Sequence, residues 1–162
     1  MLKKNLWNIL FVLVIFAADR ISKIAIISST QSQQKQEIIV NSFLNLNLIW
    51  NDGIAFGLFS FEQEFYYNLL TALIVLITII ILWMIVKTKR LEKVCFMMIF
   101  GGSLGNIFDR LYYRSVPDFI DIHVNNFHWF IFNVADIFIT LGIIFLICIE
   151  IFSNKKVKNV DY

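Results

Sequence analysis

Residues 69–82 read Leu69-Leu70-Thr71-Ala72-Leu73-Ile74-Val75-Leu76-Ile77-Thr78-Ile79-Ile80-Ile81-Leu82 without a single charge. The charge-free stretch extends to about Phe65–Val86. At about 1.5 Å of rise per residue, such a helix covers a hydrocarbon core about 30 Å thick. Working outward, three further segments approach the same length: about 6–28, 91–108 and 133–152. The chain is 59% apolar with 17 Phe and one Pro, and its mean hydropathy is +0.73. A soluble domain does not reach such values, so the expectation is a mostly α membrane protein built as a four-transmembrane-helix bundle. In 162 residues there is room for four spans and two sizeable loops, which reads as one domain over 1–162. Neither a linker nor a repeat is visible.

The start imitates a secretory leader, with Lys3 and Lys4 before an apolar stretch from Asn5 to Ala18. No small-x-small cleavage site follows, and the apolar run continues past Asp19 to about Ser28. It reads as a retained first helix. Orientation follows from Lys and Arg. Lys3, Lys4, Lys87, Lys89, Arg90, Lys93, Lys155, Lys156 and Lys158 fall on one side of a four-pass chain. The other side holds Lys35, Arg110 and Arg114. The positive-inside rule then places both termini in the cytoplasm. Loops at about 29–64 and 109–132 lie outside. In the first, Glu37-Ile38-Ile39-Val40 and Leu44-Asn45-Leu46-Asn47-Leu48 alternate with the period of strands. A small extracytoplasmic sheet platform is expected there, with Trp50 and Trp129 at the membrane interface. Cys95 and Cys148 sit in apolar segments and read as packing residues.

Carboxylates in hydrocarbon are costly and mark function by default. Asp19, Asp109, Asp118 and Asp136 fall at one level of the bilayer, whereas Glu150 sits near the cytoplasmic end. At about 1.5 Å per residue, Asp19 and Asn106 lie roughly 20 Å from the cytoplasmic end of their spans, and Asp136 lies about 5 Å in from the outside. Asn51, Asn133, Lys23 and Arg110 gather at the same level. Two close carboxylates in a low dielectric share a proton, which makes Asp118 and Asp136 the candidate general base and general acid. The plainer role for Asp136 is capping of a helix N-terminus. Asp19 and Lys23, at i and i+4, suit a buried ion pair, and Asp109 suits structural support beside Arg110. Ser22 next to Lys23 is no dyad, because neighbouring helical residues diverge by about 100°. Gly101 and Gly105 have the spacing of close helix contact. His123 and His128 near Asp121 are conceivable zinc ligands, but without a helical HExxH pattern no metal is expected.

These residues resemble the lipoprotein signal peptidases (signal peptidase II), membrane aspartyl peptidases of bacteria. The likeness rests on Asp19-Arg20-Ile21-Ser22-Lys23, on Asn51-Asp52-Gly53-Ile54-Ala55-Phe56-Gly57 and on Gly101 through Arg110. It rests equally on Val116-Pro117-Asp118-Phe119 and Phe132-Asn133-Val134-Ala135-Asp136. The resemblance implies a catalytic dyad of Asp118 and Asp136, with Asn51, Gly53, Asn106, Arg110 and Asn133 shaping the site or touching substrate. It implies removal of the signal peptide of a prolipoprotein before a diacylglyceryl-modified cysteine, at the outer face of the bacterial inner membrane. The expected partners are that substrate and membrane phospholipid, with no cofactor and no nucleic acid, for a monomeric enzyme. Two positions depart from the pattern. Ile54 stands where Ala is usual and Arg114 where Gly is common, and both bear on substrate fit and loop shape. A proton-coupled transporter would spread polar groups through both halves of the bilayer, and here the inner half is almost bare. A packing scaffold would leave Asp118 and Asp136 unexplained.

Overall fold

The computed structural model describes residues 2–33, 37–53, 64–125 and 127–158. In chain order the elements are α1 (Leu2–Gln33), β1 (Glu37–Asn41), β2 (Leu44–Asn51), α2 (Glu64–Lys87), α3 (Arg90–Tyr112), β3 (Val116–Val124), β4 (Phe127–Phe132) and α4 (Val134–Lys158). Ile54 and the Ala55-Phe56-Gly57 stretch lie outside the described residues. Three of the helices are long and apolar enough to cross a membrane: Glu64–Lys87, Arg90–Tyr112 and Val134–Phe152. The fourth, α1, is the longest at 32 residues and carries Asp19, Arg20 and Lys23 within about one turn.

Helix α3 is the centre of the bundle and packs against α1, α2 and α4. Within its apolar window 44% is buried, against 17% for α2 and 11% for α4. The exposed faces of α2 and α4 are apolar, as at Leu73, Leu76, Ile143 and Ile147, which is what lipid requires. Glycine permits the close approach. A Cβ at Gly102 would stand 2.5 Å from the Ala135 carbonyl oxygen, and one at Gly142 would stand 2.8 Å from that of Cys95. Gly101 faces Ile15, and a Cβ at Gly105 would collide with the Asp19 carboxylate. The Gly101/Gly105 spacing therefore serves the α1–α3 contact, while Gly102 and Gly142 serve α3–α4.

The strands form one antiparallel sheet in the order β1-β2-β3-β4. Two of them, β1 and β2, stand where the alternation of residues 37–48 places strands. The segment 109–132, read from the sequence as an outer loop, divides between the end of α3 and two strands of the sheet. Helix α3 runs on to Tyr112 instead of ending at 108, so Asp109 and Arg110 are helical. Tyr113 caps it, and Arg114 follows with φ 62°, the left-handed position after a helix end. That is where a glycine costs least, and Arg114 adopts the conformation although it carries a Cβ. The rest of the segment is β3 and β4. Val116 through Phe119 are all buried, so β3 shows no apolar–polar alternation to read. Past the end of β3, Asn125 stands in a turn at φ 52°. Span boundaries also shift: the first helix is 2–33 rather than 6–28, and α4 begins at Val134, leaving Asn133 just outside it.

Gly142→Val should lower the thermal midpoint in detergent, at a cost of roughly 1–3 kcal/mol, because the added methyls overpack the α3–α4 contact. An unchanged midpoint would show that the two helices are free to move apart.

Candidate active site

Lys23 is fully buried. Its ammonium donates to Asp19 at 2.9 Å, to Asn106 Oδ1 at 2.9 Å and to Asp109 at 2.7 Å. Three protons meet three acceptors, so the group has no unmet donor. Arg20 wraps round the same two carboxylates. Its Nη2 donates to Asp109 at 2.7 Å and to Asp19 at 3.0 Å, and its Nη1 lies 2.6 Å from the other Asp109 oxygen. The guanidinium also sits 4.9 Å from the centre of the Phe108 ring. Two buried acids, Asp19 and Asp109, are thus balanced by two cations. Asp19 has a further task, for its Oδ1 accepts the backbone N–H of Ala135 at 3.0 Å. This is a free donor of the first turn of α4, where an anion is favoured.

One amide away stand Asp118 and Asp136. Asn106, fixed on its oxygen side by Lys23, donates through Nδ2 to Asp136 at 2.9 Å. Asn133 joins the two carboxylates. Its Nδ2 donates to Asp118 at 2.5 Å, and its Oδ1 accepts the Asp136 N–H at 3.1 Å. The Asp136 carboxylate returns to the Asn133 N–H at 3.2 Å. The last two bonds form a reciprocal cap at the head of α4, so Asp136 does cap a helix while still offering a carboxylate to the site. Asn51, at the end of β2, donates to the other Asp118 oxygen at 2.8 Å. Its own Oδ1 accepts the Gly53 N–H at 2.9 Å, and the Gly53 carbonyl receives Arg110 Nη2 at 2.6 Å. Arg110 is held in turn by the Asn106 carbonyl at 3.4 Å, and Tyr67 donates to the Arg110 carbonyl.

All ten residues singled out in the sequence therefore meet: Asp19, Lys23, Asn51, Gly53, Asn106, Asp109, Arg110, Asp118, Asn133 and Asp136. They come from α1, β2, α3, β3 and the head of α4. Arg20 belongs with them and was not singled out as a site residue. The signal for it was its charge within an apolar helix, masked because it lies about 100° round the helix from Asp19. Tyr67 carried no signal among so many aromatics. Ser22 takes no part, since its hydroxyl donates to the Asp19 carbonyl at 2.8 Å. Glu150 lies at the far end of α4, beside Thr88 and Glu92. Arg114 reaches Asn68 at 3.0 Å on the surface, away from the carboxylates.

Asp118 is 4% exposed. Burial first, and the neighbouring Asp136 second, push its carboxyl up to about 6, against the hydrogen bonds from Asn51 and Asn133. Its folded value lies above its ordinary one of 3.8. The stability it contributes is therefore complete below pH 3.8 and is lost as pH rises through about 6. That contribution is on the order of 2–3 kcal/mol. Asp118→Asn should flatten the pH dependence of the thermal midpoint across this window, and parallel curves for the two proteins would refute it. Lys23→Met should strand Asp19 and Asp109 with one cation between them. A loss of about 3–5 kcal/mol is expected, read as a collapse of the thermal midpoint, and retention of the wild-type midpoint would count against the network.

With this geometry in view, comparison with known proteins is unambiguous. A sequence model of the family described as signal peptidase (SPase) II matches residues 11–152. The chain is 48% identical over 158 residues to a lipoprotein signal peptidase of Pelagibacter ubique (strain HTCC1062), covering 98% of this chain and 95% of that one. It is 36% identical over 160 residues to the lipoprotein signal peptidase of Francisella tularensis subsp. novicida (strain U112), with coverage of 96% and 98%. Among solved structures, a bacterial membrane enzyme determined by the in meso method at 2.3 Å superposes with a TM-score of 0.71 at 28% identity, over 93% of this chain and 90% of that one. Matched along nearly its whole length and carrying the buried carboxylates in the sequence motifs first read from it, this chain belongs to the signal peptidase II family.

Proposed function

We propose that the protein is an aspartic endopeptidase that removes signal peptides from prolipoproteins, with Asp118 and Asp136 as its reacting pair. Family membership supports the reaction, and the single observation that carries the residue assignment is the Asn133 bridge between the two carboxylates. The charge balance favours a singly protonated pair. Arg20 and Lys23 neutralise Asp19 and Asp109. Arg110 interacts electrostatically with both Asp118 and Asp136, so one shared proton leaves this half of the site neutral. The ionised member takes a proton from the attacking water, and the protonated member donates to the scissile carbonyl as the tetrahedral intermediate forms. Asn51, Asn106 and Asn133 hold the two carboxyls with neutral donors, which orient them without adding a charge. Asp19, Lys23, Asp109 and Arg20 position Asn106 and the head of α4 and do not touch the substrate.

In this reading α1 is the fourth span, both termini are cytoplasmic, and the sheet lies on the outer surface of the inner membrane. The exposed Trp50 and Trp129 suit the interfacial belt there. A cavity of about 370 Å³ reaches Asp136 between β4 and α4, walled by Phe130, Phe132, Ile137 and Leu141. Its apolar wall suits a substrate that arrives sideways from the lipid with its modified cysteine still anchored in the outer leaflet. The chemistry needs no metal.

The test is cleavage of a diacylglyceryl-modified prolipoprotein by the purified protein in detergent. Asp118→Asn and Asp136→Asn should each lower turnover by roughly 10²–10⁴-fold or more while the protein remains folded. Cleavage should continue in EDTA. Full turnover in either variant, or inactivity of well-folded wild type, would overturn the assignment.

A further inference from the structure

On the sheet face opposite Asp118 a second constellation has no part in the peptidase site. Asp121 and His123 are two apart on β3, and His123 pairs in register with His128 on β4, so all three side chains share a face. Asp118 is three residues from Asp121 and points the other way. One ligand atom from each of the three lies within 4.8 Å of the others. The imidazole rings are stacked at 5.0 Å, and His128 Nδ1 lies 2.9 Å from Asp121. Asp121 is 2% exposed, while the His128 side chain is 53% exposed, so one ligand is fixed and one is open to water.

Two unmet polar atoms sit beside this cluster. Among the described residues, the buried His123 Nδ1 and the Asn45 amide oxygen have no hydrogen-bond partner. Asn45 is 7% exposed and pairs in register with Asp121. Its amide nitrogen is already engaged by Glu37 at 2.7 Å, which leaves the oxygen as its free acceptor. Buried acceptors without donors are unfavourable, and a cation supplies what both lack. We propose that Asp121, His123 and His128 bind a divalent transition-metal ion of the zinc type, with the Asn45 oxygen alongside. Two imidazoles and a carboxylate are a borderline donor set suited to zinc, cobalt or copper rather than to calcium or magnesium. Ligands about 2.0–2.2 Å from a tetrahedral ion lie roughly 3.3–3.6 Å apart, so the side chains need to rotate and bring their ligand atoms up to about 1.5 Å closer than the 4.8 Å within which they stand. The ion would clamp the β3–β4 hairpin, which bears Asp118 at one end and leads into Asn133 at the other, without entering the proteolytic chemistry. The inference stands apart from the peptidase reading.

The full chain, purified in detergent without a polyhistidine tag and stripped with EDTA that is then removed, is titrated with Co²⁺ and followed by visible absorption. One Co²⁺ per chain is expected, displaced by Zn²⁺, with Zn²⁺ raising the thermal midpoint. His128→Gln and His123→Gln should each weaken Co²⁺ binding at least about tenfold, since even the loss of a group that only holds a ligand in place costs roughly 10–100-fold. Because His128 also pairs with the buried Asp121, binding by His128→Gln is read on protein whose metal-free midpoint shows it to be folded, so that a loss reports on the metal rather than on folding. Absence of Co²⁺ binding by the wild type, or equal binding by a folded His128→Gln protein, would overturn the proposal and leave Asp121 and His128 as an ordinary pair.

Discussion

The polar end of this molecule is organised round one buried ammonium. Lys23 cannot stay charged in an apolar interior unless every proton finds an acceptor, since an isolated buried ion costs several kcal/mol or more. Its acceptors come from α1 and from α3, so the two helices must meet in one rotational setting. Gly105 makes that setting reachable, because any larger residue would displace the Asp19 carboxylate. Asp19 then holds the Ala135 N–H, which fixes the head of α4 to the same point. Three helices are thus registered by charges that tolerate little displacement, which suits a membrane interior where burial of apolar surface does little to hold helices together.

The site itself is a junction between two layers. Asp118 is delivered by a strand and Asp136 by a helix. Such elements have independent geometries, so something must couple them. Asn133 does so in the one residue between β4 and α4, where its amide faces both ways. Arg110 performs the matching task on the other side by gripping the Gly53 carbonyl, which sets Asn51 against Asp118. The cations of the network therefore act through backbone and amide groups, and the carboxyls of Asp118 and Asp136 receive only neutral donors. That arrangement leaves room for a shared proton, which a direct Lys or Arg contact would drive off.

Part of this was legible in the residues before any coordinates. The number and length of apolar segments follow from the cost of unsatisfied backbone in lipid, and residues 65–86 declare themselves. The convergence of Asp19, Asn106, Asp109 and Asp136 followed from a constant rise per residue. Strands β1 and β2 showed through their period-two alternation. Strands β3 and β4 did not, because Val116 through Phe119 are buried on both faces and the alternation is lost. The end of α3 was misplaced by four residues for a related reason. Arg114 adopts the left-handed conformation that follows the helix end, and nothing in an arginine announces it.

By itself, then, the sequence determined which groups are too costly to leave unpaired in an apolar chain, and so named the members of the site. Only the tertiary structure decided who pairs with whom. Asp19 was expected to serve Lys23 and does, yet it also takes Arg20 and a backbone N–H of α4. Asp136 both caps its helix and faces Asp118. His123 and His128, unremarkable as loop residues, become cross-strand neighbours above a buried Asp121. The physical reason is that cost is a property of each residue in its medium, which composition and position along the chain reveal, whereas pairing depends on separations of about 3 Å between segments as many as 116 residues apart.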